Sequence, residues 1–273
     1  MSTSLGHKIN RLIRHPSHLK RAVKWHTWDR VSLYLERRRV DRSIRMLQSK
    51  TVAEYDEIRL NALSDLAKVA KSEIADYVQE LRHDRAFLDD FEQKRKEIEM
   101  IDAESTTSMI DIETLYCALR ALKPQTVVET GVYFGGTSAF LLRALERNGA
   151  GHLSSIDYLL PNVQPFGHPQ GQGCLVPESL RHSWTLINGD SRVELPRLLA
   201  QLGSIDFFLH DSLHTYKHMT WEYHTAWAAL GRGGVLSTHD ISLTDAFQDF
   251  SRKRQAEASA TDIVCDVGLV RKR

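Results

Sequence analysis

The chain has 273 residues, 42% of them hydrophobic and 26% charged, with 15 Gly, 7 Pro and 3 Cys. That balance fits a globular protein with a substantial core and excludes collagen-like and wholly disordered classes. No run of 18 apolar residues offers a membrane span, and no secretory pattern opens the chain. Cys117, Cys174 and Cys265 are too widely spaced for a C-x-x-C metal site and odd in number for a disulfide framework, so a reducing cytoplasm is the expected compartment.

The net charge of +1 conceals an asymmetry: residues 1–50 carry 13 Lys and Arg against 3 Asp and Glu. Helical spacing places Leu5, Ile9, Leu12 and Ile13 on one face before Pro16, and a second basic amphipathic helix follows from Ser17 to about Arg45. Two readings of this head stay open. One is an interfacial helix on an anionic membrane, and the other is docking on an acidic neighbour or a second copy of the chain. Residues 44–101 then keep a 3.6-residue period from Leu47 through Tyr55, Leu66, Tyr77 and Phe91 to Ile101, with no Gly or Pro. The pattern predicts one very long helix, or two broken near His83-Asp84, and homo-oligomer formation through them. Residues 1–104 are accordingly expected to form a helical, N-terminally basic extension, and 105–273 a second unit.

After residue 105 a short amphipathic helix, Asp111 to Leu122, precedes alternating elements. Strands are predicted at Thr126–Val132, His152–Asp157, Trp184–Asn188, Ile205–His210, Val235–Thr238 and Ile263–Val270. Helices are predicted at Thr137–Arg147, Arg192–Leu202, Met219–Leu230 and Asp245–Gln255. This rhythm predicts an α/β fold: a doubly wound, mostly parallel Rossmann-like sheet with its ligand edge at the strands' carboxyl ends. Residues 161–177 break the rhythm with four of the seven prolines, and read either as a substrate lid or as a surface insertion.

The chemistry-bearing stretch begins at Val127-Val128-Glu129-Thr130-Gly131 and runs through Gly135-Gly136-Thr137-Ser138. A strand passing through a glycine turn into a helix lets a ligand approach the backbone and offers it free N–H groups. The spacing is not G-x-G-x-x-G, which argues against a standard dinucleotide site. Glu129 at the strand end suits a ligand ammonium better than a phosphate. Asp157 ends the next strand, where a carboxylate can take both ribose hydroxyls. Asp190, beside Ser191, ends the third, where it can accept from an exocyclic amine.

Glu-x-Gly-x-x-x-Gly-Gly followed by these acids resembles the class I S-adenosylmethionine-dependent methyltransferases. The stretches Asp211-Ser212-Leu213-His214 and Gly233-Gly234-Val235-Leu236-Ser237-Thr238-His239-Asp240 resemble a metal-dependent subgroup, the macrocin and mycinamicin-type sugar O-methyltransferases. The likeness covers about residues 105–273. It implies S-adenosylmethionine held by Glu129, Gly131, Gly135, Thr137, Ser138, Asp157, Asp190 and Ser191. It also implies a divalent cation (Mg²⁺ or Mn²⁺) on Asp211, His239 and Asp240, and His214 as general base beside Asp211 in the catalytic pair. His239 departs from the subgroup, which has an acid there; hard Mg²⁺ prefers oxygen, whereas imidazole suits Mn, Fe, Co or Zn.

The function so implied is methyl transfer to a hydroxyl of a small molecule or glycan. Two alternatives remain: a metal-independent N- or C-methyltransferase on the same fold, and a non-catalytic cofactor-binding or assembly module. The 105–273 portion is slightly acidic without an interleaved aromatic and basic patch, which argues against a nucleic-acid partner.

Overall fold

The computed structural model describes residues 50–99, 108–158 and 171–273. The basic helices expected before Arg45, the end of the helical run at Ile101 and the first part of the 161–177 loop lie outside these residues. No helix among the described residues is long and apolar enough to cross a membrane.

The continuous period after residue 50 resolves into three helices rather than one or two: α1 (Val52–Ala67), α2 (Lys71–His83) and α3 (Arg85–Glu99). A capping box opens α1, with the Thr51 amide donating to Glu54 at 2.6 Å and the Glu54 amide donating back to Thr51 Oγ1. Lys68 ends α1 in the left-handed conformation, φ +62°. The break expected near His83-Asp84 is present. Asp84 leaves the helix, is nearly buried, and accepts from Arg143 and Arg147 of a later helix. Periodicity alone cannot show such breaks, because the apolar face continues across both corners.

Helix α4 (Met109–Leu122) then leads into β1 (Thr126–Thr130), α5 (Gly136–Asn148), β2 (His152–Asp157) and, after a 3-10 turn at Glu178–Ser183, β3 (Trp184–Asn188). The chain continues through α6 (Ser191–Leu202), β4 (Ile205–His210), α7 (Tyr216–Ala229), β5 (Leu230–Thr238) and α8 (Ala246–Arg254). It ends with β6 (Ala258–Val264) and β7 (Val267–Lys272). The last predicted strand, Ile263–Val270, is therefore corrected to an antiparallel hairpin that turns at Cys265-Asp266, where Cys265 has φ +53°. A short turn without Gly or Pro left the two strands indistinguishable from one.

The seven strands form one sheet in the order β3-β2-β1-β4-β5-β7-β6. Pairing is parallel from β3 to β5, and β7 runs antiparallel to β5. Side-chain alternation sends successive strand residues to opposite faces. Val127, Phe207, Val235 and Leu269 join one core, and Val128, Phe208, Leu236 and Val270 join the other. The first core also takes Leu66, Ile74, Leu81, Phe87 and Phe91, so α1 to α3 pack into the sheet's own interior.

Registers Thr130↔Ile156, Thr130↔His210 and His210↔Thr238 align the carboxyl ends of four strands on one edge. Arg59 of α1 secures the helical layer. Fully buried, it donates to Thr114 Oγ1 at 3.1 Å and the Ile110 carbonyl at 3.1 Å, and it pairs with Asp56 and Glu113. Removing one partner of a buried ion pair strands the others, at a cost of about 3–5 kcal/mol. Arg59→Ala is expected to lower unfolding stability by that amount in chemical denaturation. A loss below about 1 kcal/mol would contradict this role.

Candidate active site

The strand ends converge on a cavity of about 650 Å³. Asp157, Gly189, Asp190, Ser191 and His218 line it from the β2, β3 and α7 side. Phe91, Arg95, Met109, Ile112 and Leu175 line it from α3, α4 and the segment before β3. Gly131, Tyr133, Thr137, Asp211, Ser212, His239 and Asp240 also border it.

The two motif glycines serve protein contacts more directly than the sequence indicates. Gly131 has φ +89°, and a Cβ there would sit 1.9 Å from the Asp211 carbonyl oxygen. Its absence lets the chain after β4 cross beside β1, with the Asp211 amide donating to the Thr130 carbonyl at 2.8 Å. Gly135, φ +86°, would meet Gly173 Cα at 2.9 Å. That approach seats residues 173–176 against the glycine turn, so Cys174, Leu175 and Val176 are buried at the end of the segment read as a loop.

Of the residues expected to hold the nucleoside, Asp157 and Asp190 both reach the cavity. Asp157 accepts from the Tyr133 amide at 2.7 Å and the Tyr158 amide at 2.8 Å. Asp190 caps α6 and accepts from the Arg192 amide and guanidinium; burial opposes its charge, but Arg192 holds it below the usual carboxylate value. Thr137 and Ser191 border the same space.

Glu129 and Ser138 do not line the cavity. Glu129 is fully buried and takes hydrogen bonds from Ser138 Oγ and Ser155 Oγ, both at 2.7 Å, while its Oε1 has no partner. Ionisation there is opposed chiefly by burial, which outweighs the two serines and pushes the carboxyl to about 8. The ammonium contact expected of Glu129 thus meets a carboxyl enclosed beneath the floor.

The second half of the site surrounds Asp211. His214 Nε2 lies 3.6 Å from Asp211 and 3.5 Å from Asp240, and it has no hydrogen-bond partner. Ligand-capable atoms of Asp211, His214 and Asp240 all fall within 4.8 Å of one another. His239 Nδ1 stands 3.1 Å from Asp211 Oδ1 and 3.6 Å from Asp240 Oδ1. Burial disfavours the charges of Asp211 and the two imidazoles, yet their mutual attraction prevails: Asp211 is held well below the carboxylate range and both histidines are raised. Asp240 takes the left-handed conformation at φ +56°, and Tyr133 does so at +51°. Non-glycine residues in that region cost about 1–3 kcal/mol and gather at functional sites.

Sequence reasoning missed several participants. His218, read as packing or surface, borders the cavity and lies 2.9 Å from Glu222. Glu222 is fully buried and also accepts from Thr130, Ser212 and His210. Its helical setting, Trp221-Glu222-Tyr223, carries no signal that distinguishes it from a surface acid.

Residues 128–241 match the family model described as a methyltransferase domain. No curated protein matches the chain in sequence. Among solved structures, one assigned to a caffeoyl-CoA O-methyltransferase from Staphylococcus aureus aligns at 11% identity and a TM-score of 0.50, covering 69% of this chain and 99% of that one. The SAH-bound Podospora anserina methyltransferase PaMTH1 aligns at 15% identity and a TM-score of 0.49, covering 69% and 88%. The O-methyltransferase TomG of Streptomyces achromogenes, involved in tomaymycin synthesis, aligns at 15% and 0.48, covering 70% and 90%. Residues 128–241 are thus similar to a methyltransferase domain, and the sheet has the class I methyltransferase fold.

Glu129 supplies a test of the buried floor. The unfolded chain releases the Glu129 proton near the ordinary 4.5 and the folded chain near 8, so this group's contribution to stability declines as pH rises between them. Glu129→Gln keeps the shape and removes the titration. Its melting temperature should fall less than that of the native protein between pH 5 and pH 8; parallel profiles would contradict the buried, raised carboxyl.

Proposed function

We propose that the protein transfers a methyl group from S-adenosylmethionine to a hydroxyl of a small molecule or glycan, with a divalent cation assisting. The observation that carries this reading is the convergence of Asp211, His214, His239 and Asp240 on the same edge as Asp157 and Asp190. The site chemistry fits both groups. Carboxylates at the β2 and β3 ends suit ribose hydroxyls and an exocyclic amine. The unpartnered, buried His214 nitrogen and two converging carboxylates are a donor set for a cation. When bound, S-adenosylmethionine supplies an electrophilic methyl and a divalent cation lowers the pKa of the acceptor hydroxyl.

Within this reading the chain's own residues divide the work. Asp157 and Asp190 orient the nucleoside, and Thr137 and Ser191 close the cavity around it. Asp211 and Asp240 hold the cation, with His239 Nδ1 beside both as the nitrogen ligand. Its imidazole favours Mn²⁺ over Mg²⁺ relative to an all-oxygen site. His214 Nε2 takes the hydroxyl proton, because it faces the carboxylates without a hydrogen bond that would occupy it. Phe91, Met109, Ile112 and Leu175 exclude water from the acceptor side.

The mutual approach of Asp211, His214 and Asp240 supports a second assignment in which His214 is itself the nitrogen ligand. His214→Ala separates the two. As the base, its loss lowers kcat by about 10²–10⁴-fold while Mn²⁺ affinity is retained; as a ligand, its loss removes both together. Methyl transfer is followed with radiolabelled S-adenosylmethionine over a panel of sugar and phenolic acceptors, with EDTA as control. Asp157→Ala should weaken S-adenosylhomocysteine binding by about 10–100-fold, the loss of charge-assisted hydrogen bonds. Asp240→Ala should leave that binding intact while abolishing the metal dependence. Full turnover in EDTA would contradict the metal-assisted reading, and absent nucleoside binding would contradict the cofactor site.

A further inference from the structure

S-adenosylmethionine ends in an amino acid, whose ammonium and carboxylate each need a partner once removed from water. Glu129, expected to meet that end, is instead turned into the protein and bonded to Ser138 and Ser155. The place of the amino-acid end follows from the sheet. With the base at Asp190 after β3 and the ribose at Asp157 on β2, the next strand in order is β1. Its end opens through the glycine turn into α5, whose cap residue Gly135 offers no side chain to the first amides. Those donors point toward whatever fills the turn.

An ammonium suits this cavity, which Asp157, Asp190, Asp211 and Asp240 make acidic, whereas a carboxylate entering it needs a cation. Among the described residues that line the cavity, the arginines are Arg95 and Arg192. Arg192 grips Asp190 with two donors at 3.0 Å, at the β3 end. Arg95 reaches the wall from α3. Phe91, one helical turn before it on the same face, packs edge-on against Phe140 of α5 with ring centroids 4.8 Å apart. A Cβ built at Gly136 would lie 4.0 Å from Phe91 and 3.8 Å from Leu175. Phe91 thus seats α3 over the first residue of α5, and Arg95 follows about 6 Å further along the helix. Glu92 braces the guanidinium, accepting from Nε at 2.8 Å and from Nη2 at 3.0 Å. A guanidinium carries five N–H donors in a planar fork, so one arginine can serve two carboxylates.

We propose that Arg95, contributed by α3 from outside the residues that match the family model, binds the carboxylate at the amino-acid end of S-adenosylmethionine. The inference rests on the cofactor reading above and deepens it: a helix that precedes the matched domain completes the cofactor site.

Three adenosine thioethers isolate the interaction: S-adenosylhomocysteine, its decarboxylated form and 5′-methylthioadenosine. Calorimetric titration of the full chain with each reads binding without turnover, metal or acceptor. In Arg95→Ala the dissociation constant for S-adenosylhomocysteine should rise about 10–100-fold, the loss of a charge-assisted pair. The constants for the other two should not rise, because neither carries a carboxylate. Arg95→Lys keeps the charge without the fork and should fall between the native protein and Arg95→Ala. If Arg95→Ala does not fold, Arg95→Gln removes the charge at similar length, and the same comparison decides the point.

Unchanged S-adenosylhomocysteine binding in Arg95→Ala would overturn the inference. An equal rise for all three nucleosides would do the same, since it marks Arg95 as shaping the wall alone. Unchanged nucleoside binding with a raised KM for carboxylated acceptors would move Arg95 to the acceptor and overturn the assignment. Failure of the native protein to bind any of the three would instead overturn the cofactor reading, and the inference with it, before any variant is compared.

Discussion

Glu222 has no solvent exposure, yet its carboxyl is held below the usual carboxylate range within the sheet edge. Burial raises the cost of that charge, and His210 and His218 more than offset it, holding the group well below its usual pKa. Its two oxygens accept from Thr130 at the end of β1, His210 at the end of β4, Ser212 in the loop that carries Asp211, and His218 of α7. A buried carboxylate is tolerable only when its lone pairs are filled. The requirement therefore constrains four segments at once, and those segments are the ones that border the cavity. Gly131 acts on the same junction from the other side, since only a residue without Cβ admits the Asp211 carbonyl where it lies.

The helices before residue 128, where the family match begins, are part of this arrangement. Arg59 ties α1 to α4, Asp84 ties the α2–α3 corner to α5, and Phe91 stacks edge-on against Phe140 of α5 with ring centroids 4.8 Å apart. These contacts place Phe91, Arg95, Met109 and Ile112 along one wall of the cavity. The shared domain supplies the strand ends, and the preceding helices supply a wall.

Much of the fold was legible because the α/β rhythm is encoded locally. The His152–Asp157, Trp184–Asn188 and Ile205–His210 strands begin and end where apolar runs meet polar or glycine residues. The break near Asp84 was legible and that at Lys68 was not; at the first, Asp84 turns out of the helix toward two arginines some 60 residues away in sequence. The hairpin at Cys265-Asp266 has neither Gly nor Pro to mark its turn. In the site, Asp157, Asp190, Asp211 and Asp240 were readable as acids at strand ends in a recognisable order. Glu129 was not, since its sequence position says nothing of whether it faces the cavity or the serines beneath it. Glu222 and His218 were illegible for a related reason: both lie on a helix whose sequence resembles an ordinary amphipathic one, and their roles depend on contacts between segments distant in the chain.

The central claim is that a nucleoside-binding edge and a cation site share one cavity. Crystals grown with S-adenosylhomocysteine and Mn²⁺, measured at a wavelength where manganese scatters anomalously, test it most directly. The account predicts the ribose at Asp157, the base near Asp190, and one anomalous peak within coordination distance of Asp211, Asp240 and an imidazole nitrogen. Nucleoside density away from Asp157, or no anomalous peak beside Asp211 and Asp240 at saturating Mn²⁺, would contradict it.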